Sequence, residues 1–202
     1  MRREQLAAVW VGASKIPTSG KIGQKWGTRA VNGTDVEKKK ARRRKGMDIT
    51  WLTDRIAVGG GIWNADNMAT VAKAGITHVL DMQIEFDDTA LGAEHGIEVL
   101  WNATDDDFEP KPAELFQRGV EFAQDALEAD GKIYIHCAAG VHRAPMMAAA
   151  VLATTGWTLD DAMRLIVARR PVADFPDVYV ASVEEFLDTR ERTFTTGDTE
   201  GQ

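Results

Sequence analysis

One continuous apolar segment constrains the fold of this chain more than any other feature. Residues 132–136 have the composition of a buried strand, and a short turn that contains Gly140 follows directly. Residues 144–155 then form an apolar helix that ends at Gly156. A buried strand that passes through a short turn into a buried helix is typical of an α/β sheet with helices on its faces.

Strands and helices alternate along the rest of the chain from Met47. The predicted strands are 49–52, 55–58, 77–82 and 98–102, and the predicted helices are 67–74, 113–129, 159–169 and 177–190. We expect Asp66 and Thr158 to cap two of these helices, and Trp101 to lie in the core. The pattern predicts a central mixed sheet of about five strands flanked by helices.

Charge divides the chain into two regions. Residues 1–46 hold 13 of the 24 Lys and Arg residues and 3 of the 31 Asp and Glu residues, a net charge of +10, whereas residues 47–202 carry −17. The block 38–45 is almost wholly basic, and such blocks stay solvated. We therefore predict a disordered basic extension over 1–46, a folded domain over 47–193 and a polar C-terminal tail over 194–202.

The sequence leaves three interpretations of the basic extension open. It is an unstructured extension without a specific role, or a weak electrostatic site for nucleic acid or another acidic partner. In the third interpretation it reflects a start site upstream of the true one, because Met47 stands where the folded domain begins.

Composition excludes several classes of protein. No run approaches the ~18 apolar residues that a membrane-spanning helix requires, so we expect no membrane span. Cys137 is the only cysteine, which excludes an intrachain disulfide and fits a reducing, cytoplasmic location. His78 and His95 have no carboxylate or thiol at ligand spacing, and we expect no metal site and no cofactor.

The turn between the apolar strand and the apolar helix carries the chemistry. Its short backbone can direct N–H groups at an anion, and the N-terminus of the helix adds the positive end of its dipole. Arg143 supplies a planar fork for two phosphate oxygens. These groups favour the thiolate of Cys137, which becomes a candidate nucleophile toward phosphorus. The alternative is that Cys137 and His136 are ordinary core residues.

An acidic stretch, residues 104–110, follows a predicted strand at the same edge of the sheet. Adjacent carboxylates repel each other, and this repulsion helps one of them to keep a proton at neutral pH. One carboxylic acid can protonate the leaving oxygen and later deprotonate the attacking water. Asp105 and Asp106 are therefore candidate acids, and a solvated acidic loop is the alternative.

The sequence His136-Cys137-(five residues)-Arg143 resembles the signature of the cysteine-dependent protein tyrosine phosphatase superfamily. The resemblance covers about residues 48–190, and the size and the order of elements match the compact dual-specificity branch. It implies a dual-specificity phosphatase-like α/β fold. It also implies hydrolysis of phosphomonoesters through a phosphocysteine intermediate.

The resemblance implies a role for each matching position. Cys137 is the nucleophile, His136 supports it from behind, and Arg143 binds phosphate and stabilises the transition state. Asp106 is our first choice for the acid, because a Thr-x-Asp pattern stands at similar spacing in relatives that act on lipid phosphates; Asp105 is the alternative. The phosphate-binding backbone is formed by Ala138, Ala139, Gly140, Val141, His142 and Arg143.

One position departs from the superfamily. A Ser or Thr usually follows the arginine and helps the intermediate to break down, but here the residue is Ala144. One alternative to an enzyme is therefore a pseudophosphatase that binds phosphorylated partners without efficient turnover. The Arg-Ala-Pro sequence also resembles plant glucan phosphatases, so a glucan or lipid phosphate is a further alternative. A phosphorylated protein or a small phosphomonoester is the expected substrate, because the domain's negative charge repels polyanions.

Overall fold

The computed structural model of the chain describes residues 46–196. The predicted basic extension, apart from Gly46, lies outside the described residues, and so do the electrostatic partner site predicted there and residues 197–202 of the predicted tail. None of the helices in the described part of the chain combines the length and the apolar character that crossing a bilayer requires.

Five strands in residues 46–196 form one mixed sheet. They are β1 (Ile49–Trp51), β2 (Ile56–Gly59), β3 (His78–Gln83), β4 (Glu98–Thr104) and β5 (Ile133–His136). The order across the sheet is β1-β2-β5-β3-β4. The strand β1 is antiparallel to β2, and all other neighbours are parallel. The carboxyl ends of β2 to β5 therefore meet at one edge, where open α/β sheets bind ligands.

Six helices in the same described range surround the sheet. They are α1 (Ala65–Lys73), α2 (Thr89–Ala93), α3 (Ala113–Glu128), α4 (Arg143–Thr154), α5 (Leu159–Arg169) and α6 (Asp177–Thr196). The predicted α/β class and mixed sheet are confirmed. The helix α2 is absent from the prediction because one short turn shows no helical periodicity.

The core has two layers, one on each face of the sheet. On one face β2, β3 and β5 pack against α3, α4, α5 and α6. On the other face Met68 and Val71 of α1 pack with Val79 and Tyr134. The helix α4 is buried from Arg143 through its third turn, so apolar packing fixes the helix N-terminus that follows the predicted catalytic turn.

Two local predictions need correction, and one is confirmed. Asn64 caps α1, because its side chain accepts a hydrogen bond from the Asn67 N–H; Asp66 lies inside the helix. Thr158 caps α5 as predicted. Trp101, which we expected in the core, is 44% exposed, since β4 is the edge strand of the sheet.

Candidate active site

Three loops converge at the carboxyl edge of the sheet. Residues 137–142 connect β5 to α4, residues 84–88 follow β3, and residues 105–112 follow β4. Because β4, β3 and β5 are parallel neighbours, the loops that follow them lie side by side. The predicted nucleophile and the predicted acid come from two of these loops.

The loop 137–142 turns its carbonyl groups outward. The carbonyl of Ala138 accepts a hydrogen bond from the Gly61 N–H at 3.1 Å, and that of Val141 accepts one from the Asp174 N–H at 2.9 Å. Because these carbonyls are held on the outside of the loop, the N–H groups of the same peptide units are directed to the inside. A concave row of N–H groups of this kind is suited to an anion.

Cys137 lies at the floor of this loop. Its side chain is buried, and Sγ accepts a hydrogen bond from the Gly140 N–H at 3.3 Å. Gly140 has φ of 65°, and a Cβ there would come within 2.4 Å of the Gly59 carbonyl oxygen. Only glycine fits this position. The glycine thus allows a backbone N–H group to be directed at the sulfur of Cys137.

Arg170, at the end of α5, holds the loop from outside. Its Nε donates to the Gly140 carbonyl at 2.6 Å, and its Nη2 donates to the Ala139 carbonyl at 3.1 Å. The Asp48 carboxylate accepts from Nη1 and Nη2 at 2.9 and 2.6 Å. These bonds from Arg170 hold the pKa of Asp48 below its usual range. The buried Arg170 thus links β1 to the loop.

Arg143 is the first residue of α4, and Glu85 fixes its orientation. Nη1 and Nη2 donate to Oε2 and Oε1 of Glu85 at 2.9 and 2.8 Å, and Nη1 also donates to the Thr104 carbonyl at 3.0 Å. The hydrogen bonds from Arg143 lower the pKa of Glu85. The Nε–H group has no hydrogen-bond partner within residues 46–196.

Of the two candidate acids, Asp106 faces the loop. Its Oδ2 lies 3.1 Å from His142 Nδ1 and 3.8 Å from Arg143 Nε, and its Oδ1 accepts a hydrogen bond from the Tyr179 hydroxyl at 3.2 Å. The exposed Asp105 carboxylate forms no hydrogen bond or ion pair with any residue that the structure describes. The two neighbouring aspartates therefore differ sharply in what they touch.

Aromatic rings flank the site. Phe108, which is half-exposed, lies edge-on to His142 with ring centroids 5.2 Å apart and stacks on Tyr179 at 6.0 Å. Trp63 and Phe86, which follow β2 and β3, have ring centroids 6.2 Å apart. These rings thus place apolar surface beside the charged side chains of the site.

His136 belongs to a closed group of three residues, named here the buried cluster: Asp81, Asp88 and His136. All three side chains are fully buried. His136 Nε2 lies 3.0 Å from Asp88 Oδ2 and 3.7 Å from Asp81 Oδ1. Burial, together with the nearby Asp88 charge, raises the pKa of Asp81 to about 8.

The structure brings most of the predicted site residues together. The nucleophile candidate, the loop backbone Ala138–His142, the arginine and Asp106 share one site, and Asp105 forms no hydrogen bond or ion pair with any of these described residues. Sequence reasoning missed the supporting residues Asp48, Asp88, Arg170 and Tyr179. The sequence holds one signal for the buried cluster, because Asp81 is a carboxylate within a predicted apolar strand.

Comparisons with known proteins identify the family. The family model for the dual specificity phosphatase catalytic domain matches residues 62–187. PTPMT1, solved in complex with PI(5)P, superposes with a TM-score of 0.65 at 19% identity, covering 72% of this chain and 99% of that one.

Two further solved structures have the same fold. Tk-PTP in its active form gives a TM-score of 0.61 at 19% identity, covering 69% of this chain and 95% of its own. Human DUSP28 gives 0.63 at 16%, covering 71% of this chain and 95% of its own. No curated protein sequence matches the chain. The chain belongs to the dual specificity phosphatase family, within the cysteine-dependent protein tyrosine phosphatase superfamily that its loop sequence resembles.

Proposed function

We propose that this chain hydrolyses phosphate monoesters through a phosphocysteine intermediate on Cys137. The observation that carries the proposal is the contact of Cys137 Sγ with the Gly140 N–H, in a loop that leads into a helix beginning at Arg143. A thiolate, inward N–H groups and a guanidinium at a helix N-terminus together suit a tetrahedral anion. Membership of a phosphatase family supports the same reaction class.

The Arg143 guanidinium keeps one edge free for phosphate. The Glu85 carboxylate accepts a hydrogen bond from one N–H of Nη1 and from one N–H of Nη2. The Thr104 carbonyl accepts a hydrogen bond from the second N–H of Nη1. Among the contacts of the described residues, the Nε–H and the other Nη2–H are left over, and they lie on the same side of the planar group. This side-on fork matches two phosphate oxygens. Glu85 therefore orients the arginine without blocking it.

The reaction takes place in two steps, with water as the only co-reactant. In the first, the Cys137 thiolate attacks phosphorus, an S–P bond forms, and the P–O bond to the alcohol breaks as Asp106 gives its proton to the leaving oxygen. In the second, the Asp106 carboxylate takes a proton from water, the water oxygen attacks phosphorus, and the S–P bond breaks. Inorganic phosphate leaves, and both residues return to their starting forms.

The contacts of Asp106 favour it over Asp105 as the acid. The Tyr179 hydroxyl donates to Oδ1, which leaves Oδ2 beside His142 and Arg143 at the mouth of the loop. A group in that position reaches the leaving oxygen of a phosphate held by Arg143. Asp105 has no contact that would hold it there.

We expect a phosphorylated protein or a small phosphomonoester as the substrate. The loop carries no lysine, and residues 47–202 have a net charge of −17, so polyanions are repelled. The apolar rim formed by Phe108 and the Trp63–Phe86 pair favours a substrate with apolar surface beside its phosphate. A lipid phosphate is the alternative substrate, since the similar PTPMT1 was solved with PI(5)P.

A second candidate function is a pseudophosphatase that binds phosphorylated partners without efficient turnover. The observation that favours it is Ala144, which is fully buried at the start of α4 and supplies no hydroxyl. In either case the nucleophilic thiol needs a reducing compartment, so we propose a cytoplasmic location. The basic segment 1–46 is proposed only as a weak electrostatic partner site.

The test is hydrolysis of para-nitrophenyl phosphate and phenyl phosphate by the full chain, beside Cys137→Ser. Sustained release of phosphate that the serine variant loses supports the enzyme. A single stoichiometric burst supports the pseudophosphatase, and no release at all contradicts the proposal.

The acid is assigned by comparing Asp106→Asn with its matched control Asp105→Asn. Phenoxide is a poor leaving group and needs a proton more than nitrophenoxide does. We therefore expect Asp106→Asn to lower kcat for phenyl phosphate roughly 100-fold or more, and Asp105→Asn to leave it nearly unchanged. The reverse order would make Asp105 the acid.

A further inference from the structure

The buried cluster places two carboxyl groups beside one imidazole, without a Lys or Arg side chain paired with them among the described residues. Asp81 and Asp88 are both fully buried, and neither forms an ion pair with a Lys or Arg side chain in the part of the chain that is described. His136 is the one basic side chain paired with them among the described residues. Burying an uncompensated carboxylate costs several kcal/mol, so groups of this kind pair with cations or coordinate metals.

The imidazole and the two carboxylates are close but are not hydrogen-bonded to one another. His136 Nε2 lies 3.0 Å from Asp88 Oδ2, yet neither ring nitrogen and neither Asp88 oxygen has a hydrogen bond from any described residue. Asp81 Oδ2 also lacks one, while Asp81 Oδ1 accepts the Gln83 N–H at 2.8 Å. Nitrogen and oxygen atoms that could bind a metal ion are therefore close together and without hydrogen-bond partners among the described residues.

Stacking against a neighbouring aromatic ring holds the His136 imidazole in place. The Tyr134 ring stacks on His136 with centroids 5.3 Å apart and planes 17° from parallel. Gln83, fully buried on the same face of β3 as Asp81, likewise has both side-chain amide atoms without a partner among residues 46–196. Buried polar atoms without a partner need an explanation, and a bound ion with its water ligands is one that would serve all of them.

We propose that the buried cluster is a binding site for one divalent transition-metal ion, with Asp81, Asp88 and His136 as its protein ligands. One ligand atom from each residue lies within 4.8 Å of the other two. Two carboxylates and one imidazole suit Zn²⁺ or Mn²⁺, and the lack of a thiolate disfavours softer ions.

The spacing of the donors fits such an ion. Atoms 3.0 and 3.7 Å apart, each about 2.1 Å from a common ion, subtend angles of roughly 90° and 125°. This pair of angles is close to the roughly 90° and 120° of a five-coordinate, trigonal-bipyramidal ion. The two carboxylates offer ligand atoms within 4.8 Å of each other, and these atoms must lie within about 4.2 Å, twice the ligand distance, to share the ion.

The role assigned to the ion is structural. It would join the end of β5 to β3 and to Asp88, the residue that precedes α2. The proposed phosphatase reaction does not use this ion, so the metal site can be tested independently of the proposed function. Because the cluster is closed, the ion enters as the chain folds.

The test uses the full chain without a polyhistidine tag, in the Cys137→Ser background to remove the thiol as a ligand. The protein is unfolded with a chelator and refolded with Zn²⁺ or Mn²⁺ alone, or with neither, and bound metal is measured after gel filtration. We expect one ion per chain and a melting temperature higher by about 4 °C or more than that of the metal-free protein.

Matched variants locate the ion. Asp88→Asn and Asp81→Asn should each lower the affinity at least about 100-fold, since they remove a ligand. Asp54→Asn removes an exposed carboxylate and should retain the full metal content. Equal metal content in all these variants would overturn the assignment.

A spectroscopic measurement keeps the proposal testable where a ligand variant does not fold. Co²⁺ refolded into Cys137→Ser should give visible absorption bands of cobalt bound by nitrogen and oxygen, at one equivalent. No uptake of Zn²⁺, Mn²⁺ or Co²⁺ by the refolded protein would overturn the proposal, and the cluster would then be balanced by protons alone.

Discussion

Glu85 and Arg143, 58 residues apart in the chain, meet in an end-on ion pair whose two N–O distances are 2.9 and 2.8 Å. Each Glu85 oxygen takes one guanidinium nitrogen, and the pair fixes the plane of the guanidinium. The free Nε edge then faces the Asp106 side of the site. The orientation of the phosphate-binding group is thus set by a residue outside the signature.

We expect Glu85→Gln to lower kcat/KM by about tenfold. The amide keeps one acceptor but loses the charge-assisted pair, and a hydrogen bond to a charged group contributes about 1.5–3 kcal/mol before solvent screening at this half-exposed site. Steady-state kinetics with para-nitrophenyl phosphate measure the change. Glu94→Gln, which changes an exposed glutamate at the C-terminal end of α2, is the control. A variant with unchanged kcat/KM would show that Arg143 is oriented without Glu85.

We expect Tyr179→Phe to lower kcat for phenyl phosphate about tenfold and to change para-nitrophenyl phosphate hydrolysis much less. The lost hydroxyl donates to Asp106 Oδ1 and accepts the Phe108 N–H at 3.1 Å, so the loop of the acid loses its support while Cys137 and Arg143 keep their contacts. Combining Tyr179→Phe with Asp106→Asn should add little to the single effect of Asp106→Asn. Additive effects would place Tyr179 outside the proton transfer.

We expect Asp48→Asn to destabilise the fold at neutral pH but not in acid. Arg170 lowers the pKa of Asp48, so the pair stabilises the folded state above the unfolded pKa of ~3.9, and this contribution disappears as pH falls through the lower folded value. Asp48 is largely exposed, which limits the effect to about 1 kcal/mol or less.

Urea unfolding of the wild type and Asp48→Asn between neutral pH and pH values below the unfolded pKa measures this difference. Asp54→Asn, an exposed aspartate in the turn after β1, is the control and should show no such trend. A difference between Asp48→Asn and the wild type that does not change with pH would contradict the ionic origin of the effect.

We expect Ala144→Ser to shorten the lifetime of the intermediate. A hydroxyl at the start of α4 can hydrogen-bond the departing sulfur, and about 1 kcal/mol corresponds to a roughly fivefold faster breakdown. Rapid-mixing kinetics should show a smaller burst and a faster steady state. Ala148→Ser, which adds the same hydroxyl to a buried position one turn further along α4, should leave both unchanged. A burst of the same size in Ala144→Ser would mean that the missing hydroxyl does not limit turnover.

Local features of the site could be predicted from the sequence. The strand, turn and helix around Cys137 are contiguous, so periodicity and one glycine defined them. Asp106 could be ranked above Asp105 only through resemblance, because the two carboxylates are adjacent and no periodicity distinguishes them. The structure separates them by the contacts that His142 and Tyr179 make with Asp106.

Long-range pairs could not be predicted in this way. Asp48 and Arg170 are 122 residues apart, and no local pattern joins two such charges. Trp101 was assigned to the core because strand periodicity gives alternating faces but does not say which strand lies at an edge. Asp81 is a carboxylate within a predicted apolar strand, but Asp88, the second carboxyl group of the buried cluster, lies in a loop whose path depends on the sheet order.

The reach of Arg170 has a consequence for the newly made protein. The carbonyls of Ala139 and Gly140 are held by a side chain that is translated about thirty residues after them, and Asp48 must already be in place to receive it. Because a chain emerges from the ribosome in order, these hydrogen bonds to the loop 137–142 cannot form until α5 and Arg170 have left the exit tunnel. The loop that holds the proposed nucleophile therefore takes its final shape only after the strands that it follows are already in place.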